Sequence, residues 1–254
     1  MVIVVDIGNT AIDLGIIEEG HIIKTFLFNT NVLKTGDEYA IGFQSLKNGI
    51  GIKDEEIEDI VIASVVPSIS KRIARALEKT FHKTPILLSR HLKSGIRLKI
   101  DHPQELGQDL LCSAVGAKKL NLFPSIIIDL GTATKFIVID KMSDLVGCII
   151  YPGVQVSFDA LAEKAALLMD ISFDKPEHVI GKNTIESLKS GAVNGTIALI
   201  EGLVNMVEKE LGYKTHKIIT GGYSNILEGT LGTEYLFDHH LVLKGLYNIY
   251  EQNR

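Results

Sequence analysis

"SIIIDLGTATKF" fills residues 125–136, and "MVIVVDIGNTAI" fills residues 1–12. Each runs an aliphatic segment into Asp, any residue, Gly, and then hydroxyl or amide side chains. Asp6 and Asp129 therefore end the same phrase in the two halves of a 254-residue chain. The order of elements around each copy also repeats. After Met1 come three strand patterns, "VIVVD", "AIDLGII" and "IIKTFLF", and a helical stretch around Glu38–Lys47. The strand "DIVIASVV", a helix from Ser70 to about Lys83 and the strand "PILLS" follow, with Ile69, Ile73, Ala76 and Leu77 spaced as one buried helix face. The second half offers "SIIID", "KFIVID" and "LVGCIIYPG", helices over Phe158–Leu168 and Ile185–Leu211, the strand "KIIT", a Gly221-Gly222 turn, and a terminal helix near Leu243–Glu251.

This is a duplication at domain length, too long for a solenoid repeat. Runs as apolar as "SIIID" imply strands covered on both faces, as in α/β sheets. The expected boundary leaves residues 1–115 in one half and 116–254 in the other. With no flexible linker between them, the halves are expected to pack around a cleft.

Composition narrows the function. Apolar residues make up 46%, enough for a packed core, and the formal net charge is −5 with Lys and Arg scattered. That distribution gives nucleic acid no basic face, and aromatics at 6% with no Trp give it no stacking platform. No apolar run approaches the length of a membrane span, and Asp6 interrupts the N-terminal one, so neither a span nor a leader peptide is expected. Cys112 and Cys148 lack CxxC spacing and fit reduced thiols in a cytoplasmic protein.

An Asp at the carboxyl end of a buried strand projects where α/β sheets bind ligands. The following Gly lets a ligand approach the backbone closely. In "DIGNT", the amides and the side chains of Asn9 and Thr10 suit phosphate oxygens, and Asp6 suits Mg²⁺ held through water. In "DLGTAT", Thr132 and Thr134 offer hydroxyls to a second phosphate. Either turn alone reads equally as an ordinary strand end. Two at matching points of a duplicated fold read as the jaws of an ATP site. No GxxxxGK[ST] or GxGxxG occurs. "IITGGYSNIL" adds a strand, two glycines and a helix start, suited either to adenine or ribose against the backbone or to a loop that merely needs Gly.

Together these motifs resemble the superfamily of acetate kinase, sugar kinases, heat-shock ATPases and actin. "DIGNT", "HPQELGQDL", "DLGTAT", "YPGVQVSFDAL" and "GKNTIESLKSGAVNG" stand in the order and spacing of type III pantothenate kinases, from residue 2 to about residue 250. The resemblance implies a duplicated ribonuclease H-like fold. It implies transfer of the γ-phosphate of ATP to the primary hydroxyl of pantothenate, the first step of coenzyme A synthesis. Carried onto this chain, Asp6, Ile7, Gly8, Asn9, Thr10, Ala11, Ile12 and Asp13 would hold ATP, with Thr132 opposite. Asp109 would be the general base, and Asp129 would bind a monovalent cation, K⁺ or NH₄⁺. Ile100, Gly107, Gln108, Asp109, Leu110 and Thr184 would border pantothenate. A homodimer with substrate near the subunit interface is implied as well. Pro103 reads as the start of the helix bearing Asp109, which would then lie in its second turn.

The chain departs from the family pattern at several points. Leu110 stands where the family has Arg after the Asp. Losing such a fork removes a charge-assisted contact worth roughly 1.5–3 kcal/mol. Lys135 and Ile137 replace a Thr and an Asp beyond the second turn. His102 stands for an Asn, and Ile100 for an aromatic residue. Lys135 has the charge and donors of NH₄⁺. Strand alternation, however, turns it away from the side used by Thr132 and Thr134. Two other readings stay open: a kinase of the same fold acting on another small hydroxyl compound, and a nucleotide-binding regulator without catalysis.

Overall fold

A computed structural model describes residues 1–89, 92–164 and 174–254. By contacts the chain forms two compact units. Unit 1 comprises residues 1–96, 101–120 and 241–254, and unit 2 comprises 97–100 and 121–240.

Unit 1 opens with β1 (Val2–Ile7), β2 (Ala11–Glu18) and β3 (His21–Asn29), then α1 (Gly36–Ile50), β4 (Asp59–Ser64), α2 (Pro67–Phe81) and β5 (Ile86–Leu87). Their sheet order is β3-β2-β1-β4-β5. β1–β2 and β2–β3 pair antiparallel, β1–β4 and β4–β5 parallel. α3 (Gln108–Lys119) and α6 (Leu241–Glu251) complete the unit. Unit 2 holds β6 (Ser125–Leu130), β7 (Ala133–Ile139), β8 (Leu145–Pro152), α4 (Val154–Lys164), α5 (Thr184–Leu211), β9 (His216–Thr220) and β10 (Tyr235–Phe237). Its order, β8-β7-β6-β9-β10, repeats that of unit 1, with the same antiparallel and parallel pairings. A ribonuclease H-like sheet is therefore present twice, as the resemblance implied.

The central strands behave as their composition requires. Val2, Ile3, Val4 and Val5 are buried in β1, and all six residues of β6 are buried. Ile3, Val5 and Ile7 pack with Phe43, Ile73, Leu77 and Phe81 from α1 and α2. In unit 2, Ile126, Ile128 and Phe136 pack with Val193, Ile200 and Val204 of α5. Element ends depart from expectation for local reasons. α1 starts earlier because Thr35 and Glu38 form a reciprocal capping box, Glu38 N–H donating to Thr35 Oγ1 at 3.3 Å and Thr35 N–H to Glu38 Oε2 at 2.7 Å. α2 starts at Pro67, whose missing N–H is harmless in a first turn. "PILLS" contracts to the two residues of β5. α4 starts at Val154, and the expected end at Leu168 lies outside the described residues. The terminal helix, expected in the second half, packs in unit 1, where Tyr250 donates to Asp59 Oδ2 at 2.5 Å.

Glu208, near the end of α5, is 5% exposed. It accepts from Thr215 N–H at 2.9 Å and Thr215 Oγ1 at 3.0 Å, and pairs with Lys214 at 2.7 Å and Lys217 at 3.2 Å. Burial pushes its carboxyl up, but Lys214, Thr215 and Lys217 outweigh that and lower it from 4.5 to about 2. A lowered folded value stabilises above the unfolded pKa, and the benefit disappears as pH falls from about 4.5 to about 2. The gap corresponds to at most ~3 kcal/mol, less after solvent screens the exposed Lys214. Glu208→Gln is therefore expected to lower the Tm at neutral pH. In thermal unfolding across pH, the difference from the parent should shrink steadily below pH ~4.5.

Candidate phosphate turns and catalytic carboxylate

In unit 1, Gly8 N–H donates to Ala11 O at 2.9 Å and closes a turn with Asn9 and Thr10 at its tip. The register sets Ile7 opposite Ile12 and Asp6 opposite Asp13. Cross-strand partners share a sheet face, so two carboxylates stand side by side. Asn9 and Thr10 are exposed, whereas Ile7 and Ile12 are wholly buried and have only backbone to offer a ligand. Thr30, just beyond β3, clamps the turn. Its hydroxyl donates to Gly8 O at 2.7 Å and its N–H to Thr10 O at 2.9 Å. Nothing local in the sequence marks Thr30, because the contact depends on the β2–β3 register.

The turn of unit 2 is one residue shorter. Gly131 N–H donates to Ala133 O at 3.2 Å, Leu130 stands opposite Thr134, and Asp129 opposite Lys135. Thr132 is exposed at the tip, and its carbonyl accepts from Gly153 N–H at 3.1 Å. Lys135 Nζ lies 2.7 Å from Asp129 Oδ2, with the two side chains 16% and 7% exposed. Alternation does separate Lys135 from the buried Thr134, but the register puts Asp129 on Lys135's own face. The carboxylate that the resemblance assigns to K⁺ or NH₄⁺ thus already holds an ammonium. This donor set does not fit a bound monovalent cation. Asp129 Oδ1 and the Leu130 backbone also fill the space a side chain at Gly221 would need, and Gly221 has φ +94. That glycine serves the packing of the turn, while Gly222 is exposed and open around its Cα.

Asp109 lies in the first turn of α3, not the second. Pro103 starts a separate 3-10 turn, Pro103–Glu105, and Leu106 and Gly107 then run extended at ψ 126 and 142. Gln108 locks the helix start: Ser64 N–H donates to its Oε1 at 2.7 Å, and its Nε2 donates to Leu88 O at 2.8 Å. Both ends of that amide serve the backbone, which makes Gln108 an anchor for its neighbour. Asp109 Oδ1 folds back over Gly107, filling the space any side chain there would take. Burial pushes the Cys112 thiol well up, and the charges of Asp6 and Asp109 add to the effect. Both carboxylates therefore act on one buried thiol within unit 1.

Leu110 is only 7% exposed. Ile100 is half-buried in the unit 2 segment Arg97–Ile100, which runs beside Leu145. Thr184 is exposed in the first turn of α5, where Asn183 caps by accepting Glu186 N–H at 2.9 Å. Unit 1 thus holds Asp6–Asp13 and Gly107–Leu110, and unit 2 holds Ile100, Asp129, Thr132 and Thr184.

Two ribonuclease H-like sheets of the same order give the fold shared by actin-like ATPases and sugar kinases. A solved structure from Campylobacter jejuni, described as a Baf family transcriptional activator, matches with a TM-score of 0.61 at 17% identity over 99% of this chain and 98% of that one, a likeness of fold alone. The family model for type III pantothenate kinase matches residues 2–206. A type III pantothenate kinase of Sulfurihydrogenibium sp. (strain YO3AOP1) is 36% identical over 97% of this chain and 98% of its own. One from Halalkalibacterium halodurans is 35% identical over 100% of both chains. The chain belongs to the type III pantothenate kinase family. No helix among the described residues is long and apolar enough to cross a membrane.

The burial of Leu110 sets what an Arg there would do. Leu110→Arg forces a guanidinium into a packed position at the positive end of a helix. A loss of about 2–4 kcal/mol is expected, read as a lower Tm or denaturant midpoint.

Proposed function

We propose that the protein transfers the γ-phosphate of ATP to the primary hydroxyl of pantothenate, the entry step to coenzyme A, with Asp109 as the base. The observation that carries this reading is the position of Asp109. It stands in the first turn of α3, at a helix start that Gln108 pins to Ser64 and Leu88. Phosphoryl transfer asks little covalent chemistry of a protein, and a carboxylate that orients the hydroxyl and accepts its proton is sufficient.

The turn Asp6–Asp13 takes the ATP phosphates through the exposed Asn9 and Thr10 and the backbone around Gly8, and Thr132 offers a hydroxyl from the second turn. The paired carboxylates Asp6 and Asp13 fit Mg²⁺ held through its water shell. When bound, Mg²⁺ neutralises charge on the transferred phosphates. Thr30 keeps the turn in shape while its tip is occupied. Gly107 and Thr184 border pantothenate, together with Ile100 and Leu110, which make that border more apolar than an aromatic and an Arg would. A homodimer and a cytoplasmic location belong to the same reading.

Asp109→Asn keeps the shape of the side chain and removes the proton acceptor. Pantothenate-dependent ADP formation should fall by about 10²-fold or more, with Tm and ATP affinity close to those of the parent. Turnover within a few-fold of the parent would show that Asp109 is not the base. ADP formation unaffected by pantothenate would favour another hydroxyl acceptor.

A further inference from the structure

We infer that Lys135 is a built-in cation of the second phosphate turn, so that the protein handles ATP without a monovalent metal ion. This inference rests on the ATP-binding part of the proposed function. The two turns are equivalent in topology but differ in charge, one pair doubly acidic and the other balanced. In unit 1 the residue facing the strand-end Asp6 is Asp13, a second acid. In unit 2 the residue facing Asp129 is Lys135, and their side chains meet at 2.7 Å with little exposure. A buried carboxylate needs a counter-charge, which comes either from a recruited ion or from the chain. Here the chain supplies it three residues past the exposed Thr132.

An ammonium and a K⁺ ion at one carboxylate oxygen exclude each other in space and compete for the same charge. Gly221 closes the approach further, because the other oxygen of Asp129 lies over its Cα. A tethered charge also avoids the loss of translational freedom incurred on binding an ion. Lys135 thus balances Asp129 permanently and removes a lone negative charge from beside the second turn.

The test follows Mg-ATP affinity by calorimetry and pantothenate-dependent ADP formation in parallel. The buffer's only monovalent cation is a bulky amine, and KCl is then added stepwise. Parent affinity and rate should change less than about twofold, whereas Lys135→Thr should lose about tenfold without K⁺ and regain most of it with K⁺. Lys135→Arg, which keeps the charge, should stay insensitive to K⁺ and so separates loss of charge from loss of packing. A parent whose ATP affinity or rate rises tenfold or more with K⁺ would overturn the inference, as would a folded Lys135→Thr that binds ATP like the parent at every K⁺ level. Because the affinity arm needs no pantothenate, failure of the pantothenate reading would show separately, as K⁺-insensitive ATP binding without transfer.

Discussion

The register across the two hairpins β1–β2 and β6–β7 is the constraint on which the rest depends. β1 and β6 are buried on both faces, so their carboxylates stand only at the ends, where the chain turns toward solvent. What faces each carboxylate is then decided by turn length. A tip of Asn9 and Thr10 brings Asp13 opposite Asp6, and a tip of Thr132 brings Lys135 opposite Asp129. Neither register has freedom to slip. A shift by one residue would move Ile12 and Leu14, or Phe136 and Val138, to the wrong face of their strands. The apolar core thus fixes the electrostatics of turns it does not touch.

The helix carrying Asp109 shows the same dependence of chemistry on packing. α3 is buried along most of its length, with Leu110, Cys112, Ser113, Ala114, Val115, Gly116 and Ala117 all covered. A helix surrounded in this way has little freedom to rotate, so a side chain in its first turn is positioned by the whole element. Gln108 adds two hydrogen bonds to β4 and to the segment after β5, fixing the one end that packing leaves open. The carboxylate also stands in the first turn of its helix, a favourable place for negative charge against the helix dipole.

The sheet strands and the equivalence of the halves were legible because long apolar runs ending in Asp-x-Gly leave few alternatives. The start of α3 was not. Pro103 is a fair signal for a first helical position, and it does begin a turn. It could not reveal that Leu106 and Gly107 would then run extended, moving the true start to Gln108. β5 shrank to an exposed edge pair because only Ile86 and Leu87 come into register with β4. Thr30 escaped notice altogether, and Gln108 was marked as a border of pantothenate rather than as the anchor of α3, since each works through backbone far along the chain. Lys135 lies between these cases. Period-two alternation gave its face relative to Thr134 correctly. The partner on that face came from cross-strand register, which no single strand contains.

Duplication gives two copies of one binding device, and divergence can then adjust each copy separately. The pair Asp6 and Asp13 concentrates negative charge, an environment that favours a hydrated divalent ion over a bare anion. The pair Asp129 and Lys135 balances itself, so its turn does not repel phosphate as a lone buried carboxylate would. A turn one residue shorter and a Lys in place of an Asp are enough to give the two turns different charge, because the sheet beneath both turns has the same order.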